Sequence, residues 1–159
     1  MERLSDLPPS EMLRVNAWSR NVLEVPDIVF RYTTAPLAKS TGESFPQPML
    51  DTLLSKRVVV ATCTTAARLY NYGVPRGHFD VIIIDESGHA WEPEAIAPVA
   101  ALLGIVAGKE QQLILAGDPK QLGPIVRSAM AKEYGLGQSL LERLMDREVA
   151  VCRTRASSG

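Results

Sequence analysis

Phe79-Asp80-Val81-Ile82-Ile83-Ile84-Asp85-Glu86-Ser87-Gly88 is the stretch that decides the fold. Its β-branched run stops abruptly at two adjacent carboxylates, followed by a serine and a glycine. A short run that is continuously apolar, not alternating, predicts a strand covered on both faces of its sheet. Two more runs share that form, Val58-Val59-Val60-Ala61 and Gln112-Leu113-Ile114-Leu115-Ala116. Helical patterns lie between them, at Thr64–Tyr70 and Glu92–Leu103. Strand, helix, strand, helix, strand predicts an α/β fold, a parallel sheet flanked by helices.

Working outward, Ile96, Val99, Ala100 and Leu103 form one apolar helical face, and Pro93 suits a first turn. Pro98 inside that span predicts a kink or an early break. Ser139 with Glu142 predicts a capped helix from Ser139 to Arg147, burying Leu140, Leu141, Leu144 and Met145. Toward the N-terminus the signals weaken. Met12, Leu13 and Val15 suggest a short helix over Ser10–Trp18, and Ile28–Tyr32 a short strand. Ala38–Pro48 reads as an irregular connection, and Met49–Leu54 as an amphipathic turn. The expected division is an irregular segment 1–48, an ordered domain 49–150 and a frayed tail 151–159.

A chain of 159 residues, 46% hydrophobic, has the length and apolar content for one globular core. Its net charge of -1 supplies no overall attraction to nucleic acid. Cys63 and Cys152 are too few for a disulfide framework or an ordinary zinc site, which points to a reducing compartment. The opening MERLSDLPPSEM does not read as a secretory signal. No apolar stretch reaches the ~20 residues that span a bilayer. The expectation is a soluble protein without a membrane.

Open α/β sheets bind ligands beyond the carboxyl ends of their strands. Adjacent carboxylates there are costly unless something neutralises or solvates them. A hydrated magnesium ion does so, with Asp85 on the metal and Glu86 on an attacking water. A solvated strand-to-loop junction is the plainer alternative. The third run leads into Gly117-Asp118-Pro119-Lys120-Gln121, a polar loop between glycine and proline. Gln121 is placed to meet a terminal phosphate or the water, and Asp118 to accept a hydrogen bond. Alternatively the loop merely satisfies itself. Thr62, Thr64 and Thr65 after the first run either cap a helix or hold nucleic-acid phosphates, and local sequence favours capping. His89 has no partner at metal-ligand spacing; Trp91 either stacks on a base or packs the top of the following helix, and local sequence favours packing.

A phosphate loop of the form G-x-x-x-x-G-K-[ST] does not occur in these residues. The nearest string, Gly104 to Glu110, has one intervening residue too few and Glu110 where a hydroxyl belongs. It also precedes a strand instead of following one.

Met49 to Met145 resembles the first RecA-like domain of superfamily 1 RNA helicases, a P-loop NTPase fold, here without its phosphate-loop unit. The likeness is to the Armitage-like, silencing-associated branch of the nonsense-mediated-decay helicase group. FDVIIIDESGHAWEPEAI (79–96) looks like that branch's ATPase motif II, and LILAGDPKQLGPIVRS (113–128) like its motif III. RVVVATCTTAARLY (57–70) resembles its nucleic-acid-contacting segment, and YGLGQSLLERLM (134–145) its next helix. Ser87 stands where the family usually has alanine. The resemblance implies ATP and Mg²⁺ as cofactors, Asp85 as magnesium ligand and Glu86 as catalytic base. It implies Gln121 as γ-phosphate sensor, and Gly117 and Asp118 as the coupling between nucleotide and RNA. Thr62, Thr64 and Thr65 would lie near the RNA backbone. Further implications are 5′-to-3′ movement on single-stranded RNA, Argonaute-pathway or RNA-decay partners, and cytoplasmic ribonucleoprotein granules. Without the phosphate loop, tight ATP binding by this chain alone is not expected. Two other readings remain: a non-catalytic interaction module, and a metal-dependent nuclease using Asp85, Glu86 and Asp118.

Overall fold

The computed structural model describes residues 6–34, 45–118 and 121–147. In chain order its elements are β1 (Met12–Arg14), α1 (Asp27–Phe30), α2 (Leu50–Leu54), β2 (Val58–Val60) and α3 (Cys63–Ala67). Then come β3 (Val81–Ile84), α4 (Glu92–Leu102), β4 (Gln112–Leu115), α5 (Ala129–Ala131) and α6 (Leu140–Asp146). The tail expected at 151–159, and most of the connection expected at Ala38–Pro48, lie outside the described residues. The class is mixed α/β with parallel strand pairs and flanking helices, as the apolar pattern predicts. The chain falls into two compact units, Met1–Asp80 with Ala97–Gln111, and Val81–Ile96 with Gln112–Gly159.

In the first unit β1 pairs in parallel with β2, Met12 opposite Val58 and Arg14 opposite Val60. This corrects the helix expected over Ser10–Trp18. Met12, Leu13 and Val15 are all buried, at 0%, 4% and 4% exposure, because both faces of the strand are covered. Their spacing mimics an imperfect helical face, and only the distant partner β2 decides between the two. Arg14 also bridges to Thr33, with its N–H donating to the Tyr32 carbonyl at 2.6 Å.

The strand expected over Ile28–Tyr32 is likewise replaced, by helix α1. The Pro26 carbonyl accepts the N–H groups of Val29 and Phe30, and Asp27 supplies negative charge to the first turn. Here the Pro-Asp start signal outweighs the β preference of Ile-Val-Phe. Val29 and Phe30 pack on Val22, Val25 and Phe45.

A polar clip closes this unit. Lys109 Nζ donates to the carbonyls of Gly77 (2.7 Å) and His78 (3.1 Å) and pairs with Asp80 (2.9 Å). Gln111 accepts from Gly104 N–H at 2.8 Å and donates to the Phe79 carbonyl. The lysine of the Gly104–Glu110 string thus serves two backbone carbonyls and the Asp80 carboxylate.

In the second unit β3 and β4 pair in parallel, Val81 opposite Gln112 through Ile84 opposite Leu115. The three apolar runs therefore do not share one ladder among the described residues: β2 pairs with β1, and β3 with β4. Nor are both faces of β3 covered. Ile84 is 5% exposed, whereas Ile83 is 63% exposed and its partner Ile114 43%. Side chains alternate across a strand, so an uninterrupted apolar run does not by itself report two covered faces.

Helix α4 continues through Pro98 to Leu102, so the early break does not occur. The missing Pro98 N–H forfeits one hydrogen bond, yet Leu102 beyond it is buried. Ser139 caps α6 as expected, its hydroxyl accepting from Glu142 N–H at 3.2 Å. Leu140 is buried, while Leu141, Leu144 and Met145 are half-buried.

Truncating Leu53, 0% exposed, to alanine should cost about 2–5 kcal/mol in urea unfolding. Ile83→Ala, on the open face, should cost less than about 1 kcal/mol. Equal costs would mean that this face is covered in solution.

Candidate functional site

The carboxyl ends of β3 and β4 meet through their backbones. The Ala116 carbonyl accepts two bonds from Ser87, from N–H and from Oγ, each 2.8 Å long. Ala116 N–H returns a bond to the Ile84 carbonyl at 2.9 Å. Two glycines permit this approach. A Cβ on Gly88 would sit 3.2 Å from the Asp118 carbonyl oxygen. One on Gly117, whose φ is +156°, would sit 3.1 Å from Gly88 N and 3.2 Å from Ser87 N. The loop carrying Asp85 and Glu86 and the loop carrying Asp118 thus lie against each other.

Ser87, at 0% exposure, is the anchor between them. Its hydroxyl adds a second donor to a carbonyl that the backbone already serves. The sequence marked Ser87 as a departure from the family's alanine without revealing that bond.

Both carboxylates point outward from this seam. Asp85 is exposed, and its Oδ1 accepts the Glu86 N–H at 3.0 Å. Glu86 has a φ of +53°, the left-handed region, and is the one non-glycine residue there among those described. That conformation costs on the order of 1–2 kcal/mol for an L-residue. Its carboxylate lies 3.3 Å from His89 Nδ1, so His89, unassigned from sequence, orients Glu86. Exposed carboxylate oxygens suit a hydrated magnesium ion, which retains several of its waters. No three His, Cys, Asp or Glu side chains converge as a metal site among the described residues.

Gln121 is exposed, and its N–H donates to the Asp118 carbonyl at 3.2 Å. Pro119 and Lys120 lie outside the described residues. Beyond Gln121, the Trp91 indole N–H donates to the Ile125 carbonyl at 3.1 Å. Trp91 thereby ties the loop after β4 to the start of α4, a role its position ahead of the helix did not disclose.

Arg143 of α6 holds the same helix start, donating to both oxygens of Glu92 at 2.6 and 2.7 Å. This fork geometry is the strong form of an ion pair. The hydrogen bond from Arg143 holds the Glu92 carboxyl below its usual range, and the same bond raises Arg143.

In the first unit, Thr62 caps α3. Its hydroxyl accepts from Thr65 N–H at 3.3 Å and donates to the Thr65 hydroxyl at 3.0 Å. Thr65 is buried at 4% exposure, which leaves Thr62 and Thr64 as the exposed hydroxyls. Cys63 is half-buried. Among the described residues no helix is long and apolar enough to cross a membrane.

Comparison with known proteins shows which sequences the chain resembles. A family described as an AAA domain matches residues 39–129, which include both carboxyl-end loops. The chain is 48% identical over 132 residues to the putative helicase mov-10-B.1 of Danio rerio, covering 83% of this chain and 12% of that protein. It is 39% identical over 141 residues to the RNA helicase Mov10l1 of Homo sapiens, covering 89% of this chain and 10% of that one. With the probable RNA helicase armi of Drosophila melanogaster it shares 41% over 91 residues, covering 57% of this chain and 7% of the relative. The chain spans about a tenth of the length of these relatives.

Two outcomes test the scaffold. Ser87→Ala should cost about 0.5–1.5 kcal/mol by denaturant titration, because Ala116 keeps its bond from the Ser87 backbone. Arg143→Met should return the Glu92 pKa upward toward its ordinary value in a carboxyl NMR titration. Since Glu92 is depressed in the fold, its stabilising effect is present above the unfolded-state pKa. It is lost as pH falls through the folded one. Acid sensitivity in that window should therefore shrink in the variant.

Proposed function

The chain belongs to the AAA-domain family and is homologous to Mov10- and Armitage-like RNA helicases; on that premise we propose that it forms part of an ATP-dependent 5′-to-3′ RNA helicase acting in RNA silencing or decay. The segment 49–150 is read as part of the first RecA-like domain, preceded by an interdomain segment 1–48 and followed by the tail 151–159. The observation that carries this reading is the glycine-permitted seam, which sets the Asp85-Glu86 loop against the Gly117-Asp118 loop. In a nucleotide-hydrolysing site of this kind, the metal and the water are handled at one strand end, and the phosphate is sensed at the next.

In this assignment Asp85 holds Mg²⁺ directly or through water, a role its exposed carboxylate suits. The ion supplies charge neutralisation at the phosphates. Glu86 orients the attacking water and takes its proton, with His89 holding the carboxylate. Gln121 senses the γ-phosphate. Gly117 and Asp118 transmit the nucleotide state toward the RNA, which Thr62 and Thr64 approach from α3, with Thr65 supporting Thr62. Single-stranded RNA is the polymer bound. Argonaute-pathway or RNA-decay proteins are the partners, and cytoplasmic ribonucleoprotein granules the setting.

These 159 residues contain no phosphate-binding loop, so turnover belongs to a longer assembly that supplies one. A non-catalytic role of this chain in binding RNA or protein is the second reading, and the same observation favours it. The purified chain should hydrolyse no ATP above background, with or without RNA. Joined to a segment that supplies the phosphate loop and a second domain, Glu86→Gln should lower RNA-stimulated hydrolysis by about 10²–10⁴-fold with ATP binding retained. Undiminished turnover in Glu86→Gln would remove the proposed base.

A further inference from the structure

The loop that carries Gln121 is held at both of its ends by one short stretch of chain. Ala116, just past β4, gives its carbonyl to the N–H and the hydroxyl of Ser87, each at 2.8 Å. Further along, Ile125 gives its carbonyl to the Trp91 indole N–H at 3.1 Å. Both donors belong to the segment Glu86–Trp91. Apolar burial holds the loop less well. Leu122 is 83% exposed and Ile125 77%, and of the described apolar side chains in this span Pro124 alone is buried. The bond from Gln121 N–H to the Asp118 carbonyl is internal to the loop and does not anchor it.

The gripping segment is itself stiff. His89 N–H donates to the Glu86 carbonyl at 3.0 Å, closing a turn around Ser87 and Gly88. Ser87 is fully buried, and a Cβ on Gly88 would come 3.2 Å from the Asp118 carbonyl oxygen, so that end has no slack. At the other end Trp91 stands immediately before Glu92, whose carboxylate Arg143 clasps from α6. An indole turns about only two side-chain bonds, and its Nε1–H can only donate. A fixed base, a rigid arm and a single donor set the distance between the start of α4 and Ile125. Closing a loop at its second end removes conformational freedom from everything between the ends. Gln121, inside that span, is a side chain whose assigned task depends on its placement.

We propose that Trp91 is a positioning residue for Gln121. Ser87 holds the loop where it leaves β4, and Trp91 holds it where it ends. A displacement of the Glu86–Trp91 segment therefore reaches Gln121 as movement of the whole loop. This role rests on the reading of Gln121 as γ-phosphate sensor, and adds to that site a residue that acts through the placement of another.

The test begins with the full chain, free of ligand. The Trp91 indole N–H, identified by its persistence in Trp18→Phe, should exchange with solvent well below the rate of free indole. Exchange at the free rate would overturn the clamp with position 91 unaltered. Trp91→Phe keeps an aromatic ring and loses the donor. It should lower the NMR order parameters of Gln121 and Leu122 from about 0.85 to below about 0.6, with Ile84 and Leu115 unmoved. A variant that is less stable throughout, with Gln121 as ordered as before, would make Trp91 purely structural and overturn the proposal. Joined to a segment that supplies the phosphate loop and a second domain, Trp91→Phe should lower kcat about tenfold and leave KM for ATP within about twofold. Turnover impaired in Gln121→Ala but intact in Trp91→Phe would remove the positioning role and leave the sensor. Turnover intact in Gln121→Ala would remove the sensor, and the positioning role with it.

Discussion

The approach of two backbones at the ends of β3 and β4 is the constraint on which the candidate catalytic face depends. Ala116 offers one carbonyl to two donors of Ser87, and Gly88 and Gly117 leave no side chain between the strands' exits. Asp85, Glu86 and Asp118 lie within three residues of these contacts, so fixing the seam fixes where their side chains leave the backbone. Asp85 and Glu86 emerge on one side of it and Asp118 on the other. The left-handed backbone at Glu86 is tolerable because Ser87, fully buried, holds the next residue in place. Strain at a single residue persists where its surroundings over-determine it, and such residues gather at working sites.

The same seam explains why the supports of α4 matter. Trp91 reaches forward to Ile125, and Glu92 is clasped by Arg143 from α6. The loop after β4 and the start of α4 are therefore tied by a neutral hydrogen bond, and α4 and α6 by a charged fork. The fork weakens in acid as Glu92 protonates; the indole bond does not titrate. Rigidity at the neighbouring carboxylates thus has one pH-dependent and one pH-independent contribution.

Much of this was legible in sequence, and the failures have a common cause. β3, β4, the cap at Ser139 and the carboxylates of Asp85 and Glu86 could be read because each rests on local signals: an apolar run, a hydroxyl three residues before an acid, a polar break. Met12–Arg14 was misread because a three-residue strand has no period of its own, and its partner β2 lies more than forty residues away. Ile28–Phe30 was misread for the opposite reason, since a local start at Pro26 overruled intrinsic preference. His89 was visible but unassignable, because neither the left-handed backbone at Glu86 nor the contact between the two side chains is announced by any sequence pattern.

Parallel pairing puts the carboxyl ends of neighbouring strands at the same level, so each pair creates one edge where loops and unspent backbone groups collect. This chain does so twice, with opposite chemistry. The β3–β4 edge carries Asp85, Glu86 and Asp118, whereas the β1–β2 edge carries Arg14, Asn16 and Arg20. An acidic edge tolerates a polyanion only through an interposed cation, while a basic edge accepts one directly. One fold rule, applied to two strand pairs, thus gives two different sets of polar groups, and the difference is written in the residues that follow each strand as much as in the strands themselves.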